Sequence, residues 1–376
     1  MIPGEDDGQG LEAEESDLIE RLLEDTRNSP GIARIARNPL LLTLLVLIYA
    51  NTGAVSAKRH VIYTQAIKTL VSVRGRDKRE QQISEADLRT RLGALAVGIF
   101  RRDIDEIPKR ADVVQVLAPV IESSRPDDYV PHGDQTNNFL QEVAEATGLI
   151  SIHPSINGSS EDLITFMHYS FLEYYTATGI LSTDYKELLT RLSRNPRWKD
   201  VTTLMFGILS DHQDVTQHLR MLLSDDTDAG SITKYKLLLA MDCASECDVP
   251  PEGAQDLLAT EIFETLAQGA GRFSADLRDE IADRLRYFMQ GAGPRIESAL
   301  IRGLKIEDPI GKAAFYDLIS RIDETVNLSQ RVIDAFMNGL DEPHAAVQTA
   351  AMLAIEKHSN LRTERCESVV RAALSG

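Results

Sequence analysis

The chain has no glycine-rich turn of the form G-x-x-x-x-G-K-[ST], whose backbone N–H groups cradle a phosphate chain while its lysine and hydroxyl serve the outer phosphates and their metal. The nearest approach, Gly53 to Lys58, lacks the second glycine and the Ser or Thr after the lysine. An acidic residue closing a long apolar run, where magnesium would be held, is also missing, because Leu40 to Ala50 is followed by Asn51 and Thr52. The chain by itself is therefore expected to be no enzyme and to carry no cofactor. Three cysteines in 376 residues leave at least one unpaired, which suits a reducing compartment better than a disulfide framework. No apolar run approaches the about 20 residues that span a bilayer as a helix. The first residues, M-I-P-G-E-D-D-G, are acidic and contain no signal-peptide core. A cytoplasmic location and no membrane partner are expected. Positive charge is scarce: 40 Lys and Arg against 58 Asp and Glu give a formal net charge of −18. That balance disfavours phosphate backbones and anionic lipid, whose attraction is supplied by Lys and Arg.

With 43% hydrophobic and 26% charged residues the composition is that of a globular protein, long enough for two or three domains. Residues 1–10 are rich in glycine and acid and are expected to be disordered. Leu18, Ile19, Leu22 and Leu23 recur at helical spacing and share one face. Asn38 then precedes Pro39, a residue tolerated at the first helical position because the N–H it lacks would be unpaired there. This predicts Asn38 as cap and Leu40 to Ala50 as a buried helix ended by Gly53. A second helix, 57–73, presents Ile62, Ala66, Ile67 and Leu70. The charged run Arg74 to Glu80 marks a boundary, giving a helical domain over 11–80.

Beyond it, Ser84 and Asp87 form a capping signal for a helix to about Arg101, striped by Leu88, Leu92, Leu95 and Ile99. Helices are predicted over Asp112 to Glu122 and Gln135 to Thr147, the latter stopped by Gly148. Two apolar runs, Leu149 to His153 and Leu163 to Met167, flank P-S-I-N-G-S-S-E-D, in which Asn157-Gly158 is a strong turn signal. Helices, a hairpin and a further helix describe a winged-helix domain over 81–182, its hairpin delivering His168 to the start of the last helix. From 183 to 376 the pattern is helical. Near its end Gly303 and Gly339, Leu304 and Leu340, Ala314 and Ala350, and Ile319 and Ile355 repeat at a spacing of 36, as do Ala299 and Ala335. Such self-similarity indicates stacked helix pairs and a HEAT-like α-solenoid. The fold class expected is mainly α: a helical bundle, a winged-helix domain with a small β-hairpin, and a helical-repeat domain.

Two motifs stand out, R-N-P-L-L-L-T-L-L at Arg37 to Leu45 and F-M-H-Y-S-F-L-E-Y-Y at Phe166 to Tyr175. Between and after them lie the pattern formed by Gly53, Arg59 and Tyr63, and the segment N-P-R-W-K-D-V-T-T-L with the only tryptophan, Trp198. Over about residues 15–210 these resemble the C-terminal part of a NACHT-family STAND signalling NTPase, without its P-loop domain. Two positions depart from the family: Ser56, near which it often has proline, and Leu172, where it often has glutamine. The resemblance implies that Pro39 sits against a nucleotide base and that His168 reaches the terminal phosphate of bound diphosphate. It implies ATP or ADP for the intact family member, and a P-loop domain as partner in cis or in trans. It further implies a protein trigger read by the solenoid, homo-oligomerisation on activation, and a role in innate immunity or antiphage defence. A reading of another class stays open, a stand-alone helical-repeat adaptor that binds protein and no nucleotide.

DNA is not an expected partner of the winged helix. Its would-be recognition helix carries Glu142 and Glu145, and no Lys or Arg occurs from Pro131 to Ile180, whereas phosphate contacts come largely from those residues. The basic groups at Arg101-Arg102 and Lys109-Arg110 are read as solvated faces or docking sites for the absent domain. Cys243 and Cys247 fall short of the four ligands of structural zinc and are read as buried small residues. Asp225 to Gly230 lacks the closing carboxylate of a calcium loop and is read as a turn between helices.

Overall fold

The computed structural model describes residues 17, 19–27, 32, 35–56, 58–74, 84–102, 107–124, 132–154, 162–183, 185–192, 194–223, 231–247, 276–285, 301, 303–321 and 329–357, with a few positions between 253 and 261. The N-terminal decapeptide, the charged run after Arg74, the Asn157-Gly158 turn and the Asp225 to Gly230 segment lie outside them. The fold is mainly α, and the chain divides into two compact units, Met1–Asp211 and His212–Gly376.

In the first unit, α1 spans Pro39–Thr52. The Asn38 side chain accepts hydrogen bonds from the N–H groups of Leu40 and Leu41 at 3.0 and 3.3 Å, and Pro39 takes the first helical position. Gly53 ends the helix at φ 71, in the left-handed region that an L side chain resists. The helix is not buried all round, as its run of apolar residues suggested. Leu41, Leu44, Leu45, Ile48 and Tyr49 are inside, while Leu42 and Val46 are 41% and 44% exposed. With 3.6 residues per turn, Leu42 and Val46 face away from the side on which α2, Arg59–Arg74, packs. The same correction applies upstream, where Leu22 is buried but Ile19 and Leu23 are exposed.

Helix α3, Glu85–Phe100, begins as its capping signal requires: the Ser84 hydroxyl accepts from the Asp87 N–H at 3.0 Å and donates to its carboxylate at 2.7 Å. Next come α4 (Arg110–Ser124) and α5 (His132–Ala146), packed on each other. Strands β1 (Ile150–His153) and β2 (Leu163–Phe166) pair antiparallel, Ile150 opposite Phe166 and His153 opposite Leu163. A third edge, unseen in the sequence, flanks the hairpin. The Ile164 N–H donates to the Pro108 carbonyl at 3.0 Å, and Lys109 bridges to Leu163.

Helix α6, Tyr169–Leu181, is the centre of this unit and packs against α3, α8 and α2. Its approach to α3 is closest at Gly179 and Gly93, where a Cβ on Gly179 would stand 2.6 Å from the Gly93 carbonyl carbon. Helix α7 covers Tyr185–Leu192. A 3₁₀ turn at Pro196–Trp198, capped by Asn195, leads into α8, Lys199–Ser210. Trp198 is buried edge-on against Phe100, centroids 4.5 Å apart. Because α8 packs on α6 and α2, the first compact unit runs to Asp211, beyond the boundary at 182 read from the sequence.

Every element among the described residues of the second unit is a helix. Helix α9 (Thr216–Leu223) packs on α10 (Ser231–Ser245), and Arg284 forks onto the α10 residue Asp242 at 2.8 and 3.2 Å. Helices α11 (Pro309–Ser320), α12 (Gln330–Asn338) and α13 (Ala345–Lys357) follow. The repeat is carried into three dimensions: α11 and α13 begin 36 positions apart and pack together. Within the repeat, Leu304 and Leu340, Ala314 and Ala350, and Ile319 and Ile355 are all buried. Stacked helices with equivalent buried positions are the arrangement of a HEAT-like helical array.

Candidate functional site

His168 stands between the hairpin and α6, in extended backbone, as the helix cap. Its Nδ1 accepts the Ser170 backbone N–H at 3.1 Å, so the neutral ring carries its proton on Nε2. An exposed imidazole thus presents one N–H donor at the start of a 13-residue helix. That chemistry suits a phosphate oxygen, for the helix N-terminus also favours negative charge. Pro39 is likewise exposed, at the first turn of α1. The two residues stand on different elements, and α2 packs on both α1 and α6.

Of the pattern between the two motifs, Gly53 ends α1, while Arg59 and Tyr63 fall on α2, and Tyr63 binds the histidine helix. Tyr63 lies between Phe171 and Tyr174, ring centroids 5.5 and 5.4 Å away, and its phenol hydrogen-bonds with the Ser170 side chain. Burial pushes that phenol up to about 12, the Ser170 bond opposing the rise. One residue further, the Thr64 hydroxyl meets the Tyr174 hydroxyl at 2.9 Å. One turn earlier, the Arg59 guanidinium joins Asp200 at 2.9 Å and Thr203 at 2.5 Å, both on α8. Its neighbours grip the other end of that helix. Lys58 Nζ lies 2.7 Å and His60 Nε2 2.8 Å from the two carboxylate oxygens of Asp211. Lys58, just before α2, with Arg59 and His60 of its first turn, therefore holds α8 near its start and at its C-cap. Burial works against the Asp211 carboxylate, but the bonds from Lys58 and His60 outweigh it and hold its pKa below the usual range.

Glu173, one turn beyond Tyr169, shares this region. Burial pushes its carboxyl up to about 7; the Asp200 carboxylate adds to the rise and Arg59 opposes it. Motif matching picked out Arg59, Tyr63 and Glu173 only as pattern positions. Asp200 was likewise only a position in the N-P-R-W-K-D segment, and Asp211, Lys58 and His60 carried no signal of their own, since each partner lies more than 140 residues away.

The basic groups near the hairpin are paired: Arg102 with Asp112 at 2.7 Å, and Arg110 with Asp162 at 2.8 Å and Asn137 at 2.7 Å. Cys243 and Cys247 are both buried, the second thiol 3.9 Å from the Cys243 carbonyl oxygen. Among the described residues no group of three His, Cys, Asp or Glu could hold a metal ion. No helix among them is long and apolar enough to cross a membrane.

No family model matches the chain, and no curated protein matches it. Among solved structures it is similar to a chain in the structure of the Pds5–Scc1 complex, reported with implications for cohesin function. The identity is 14% and the TM-score 0.35, over 97% of this chain and 60% of that one. A likeness at that level carries no argument about what the chain does.

Proposed function

We propose that the chain is the regulatory and sensing portion of a NACHT-type nucleotide switch. In this reading the first unit reads nucleotide state and the helical array reads a protein trigger. The observation that carries it is the convergence of the motif segments. The N-P-L-L helix packs on α2, Arg59 and Tyr63 of α2 bind Asp200 and Ser170, and the helix so held presents His168 at its exposed start. In the closed state the His168 Nε2–H would donate to the terminal phosphate of ADP, and Pro39 would rest against the base. Both would be completed by a P-loop domain in cis or in trans. Triggering would release α6, permit exchange for ATP, and expose surfaces for homo-oligomerisation in the cytoplasm. Innate immunity or antiphage defence is the setting proposed for such a switch.

The test is His168→Ala in a protein joined to its P-loop domain. Loss of one charge-assisted bond made only in the closed state shifts the population by about 1.5–3 kcal/mol toward the open form. Activity without trigger is the expected outcome; trigger dependence and nucleotide exchange like wild type would show His168 to be only a helix cap. The helical-repeat adaptor reading would then take its place.

A further inference from the structure

The repeat of the second unit reaches further back than the sequence shows. Leu318 of α11 and Ala354 of α13 stand 36 positions apart; 37 positions before Leu318 is Ile281, in the helical residues 276–285, and 37 before that is Ala244 of α10. All four are buried. Three residues after the last three of these anchors come Arg284, Arg321 and Lys357, and two residues before Ala244 and Ile281 come Asp242 and Asp279. The basic position of one helix meets the acidic position of the helix before it. Arg284 forks onto Asp242 at 2.8 and 3.2 Å, and Arg321 donates to Asp279, each pair spanning 42 residues. The first rung is largely withdrawn from water, its side chains 18% and 16% exposed. The second is widened into a cluster, for Arg321 also forks onto Asp317 at 3.1 and 3.2 Å, and the Arg278 Nε lies 2.8 Å from the same carboxylate. The series then stops. The position that would face Lys357 is Tyr316, buried edge-on against Phe336, and Lys357 is exposed.

We propose that these arginine–aspartate pairs are a register lock on the helical array: they pin α10, residues 276–285 and α11 in sequence, and the lock ends at Tyr316. Apolar packing has no preferred direction, whereas a forked guanidinium–carboxylate pair is met in one geometry. In a stacked array each repeat contacts only its neighbours. Release of a rung therefore opens the array at that level, while the α11–α13 stack, which has no such rung, stays closed. The inference needs neither nucleotide nor trigger, so it stands or falls separately from the reading above.

The test is hydrogen exchange of the full chain at pH 7, followed over residues 231–245, 276–285, 309–320 and 345–357. Wild type is compared with Asp242→Asn, Arg284→Gln and the double variant, with Lys357→Gln as control. Each single variant should raise the opening of 231–245 and 276–285 about tenfold. The double variant should open no more than the worse single, because all three lose the same interaction. Residues 345–357 should exchange as in wild type throughout, and Lys357→Gln should leave 309–320 unchanged. Single variants that exchange like wild type would overturn the proposal, as would effects that add in the double variant. So would an equal loss of protection over 345–357, or a Lys357→Gln protein in which 309–320 opens.

Discussion

Replacing Gly179 with alanine tests how the histidine helix is seated. A Cβ there would meet the Gly93 carbonyl, its carbon 2.6 Å away, and the Val97 Cγ2 at 2.9 Å. Val97 can change rotamer; the Gly93 backbone belongs to α3 and cannot. Restoring ordinary contact requires α6 to back away by close to ~1 Å, and overpacking of this kind costs about 1–3 kcal/mol. The helical preference of Ala over Gly returns at most about 1 kcal/mol. Because the clash is with backbone, the cost belongs at the upper end, and the net loss is about 2 kcal/mol. For a unit of this size that is a fall of roughly 4–8 °C in melting temperature. Trp198, the only tryptophan and packed on Phe100 of α3, makes its fluorescence a report on the first unit alone. Gly93→Ala is the companion variant. Its Cβ would lie 3.0 Å from the Gly179 Cα, so it should lose less. A Gly179→Ala protein melting at or above wild type by Trp198 fluorescence would refute the close crossing of α3 and α6.

Asn38→Ala removes the cap that serves two N–H groups of α1 and should cost about 1 kcal/mol in urea unfolding; no change would mean that the cap is not formed. Asp211→Asn leaves Lys58 and His60 without their shared anion and should destabilise the first unit by about 1–2 kcal/mol at pH 7. Because the Asp211 pKa is lowered on folding, its contribution is present above about pH 4 and fades as pH falls through the folded value; acid titrations of the two proteins should converge there, and a constant gap would refute the assignment. The chain alone should bind ATP or ADP more weakly than micromolar, since one hydrogen bond of about 0.5–1.5 kcal/mol and one apolar contact fall short of the roughly 8 kcal/mol needed. Calorimetry showing micromolar affinity would contradict that limit.

The elements legible in the sequence are those whose partners lie a few residues away. Asn38 caps Leu40 and Leu41, Ser84 caps Asp87, Gly53 and Gly148 take positive φ where helices end, and the two apolar runs pair as a hairpin. The repeat at a spacing of 36 reads equally well, because equivalent helices bury equivalent residues whatever surrounds them. Burial is another matter. Leu42 and Val46 are as apolar as Leu41 and Leu45, yet stand outside, because α2 covers one side of α1 only. Ile19 and Leu23 share their spacing with Leu22 and are exposed for want of a facing surface among the described residues. The site shows the same division. His168 and its place at the head of a helix followed from local pattern, whereas a neighbour that holds that helix came from 110 residues away, as Thr64 meets Tyr174, and the Arg59–Asp200 pair that joins α2 to α8 spans 141. A capping bond is decided by backbone torsions within one turn, so the sequence alone determines it. Which carboxylate faces which guanidinium, and hence where Glu173 titrates, depends on how three helices pack, and only the tertiary structure decides that.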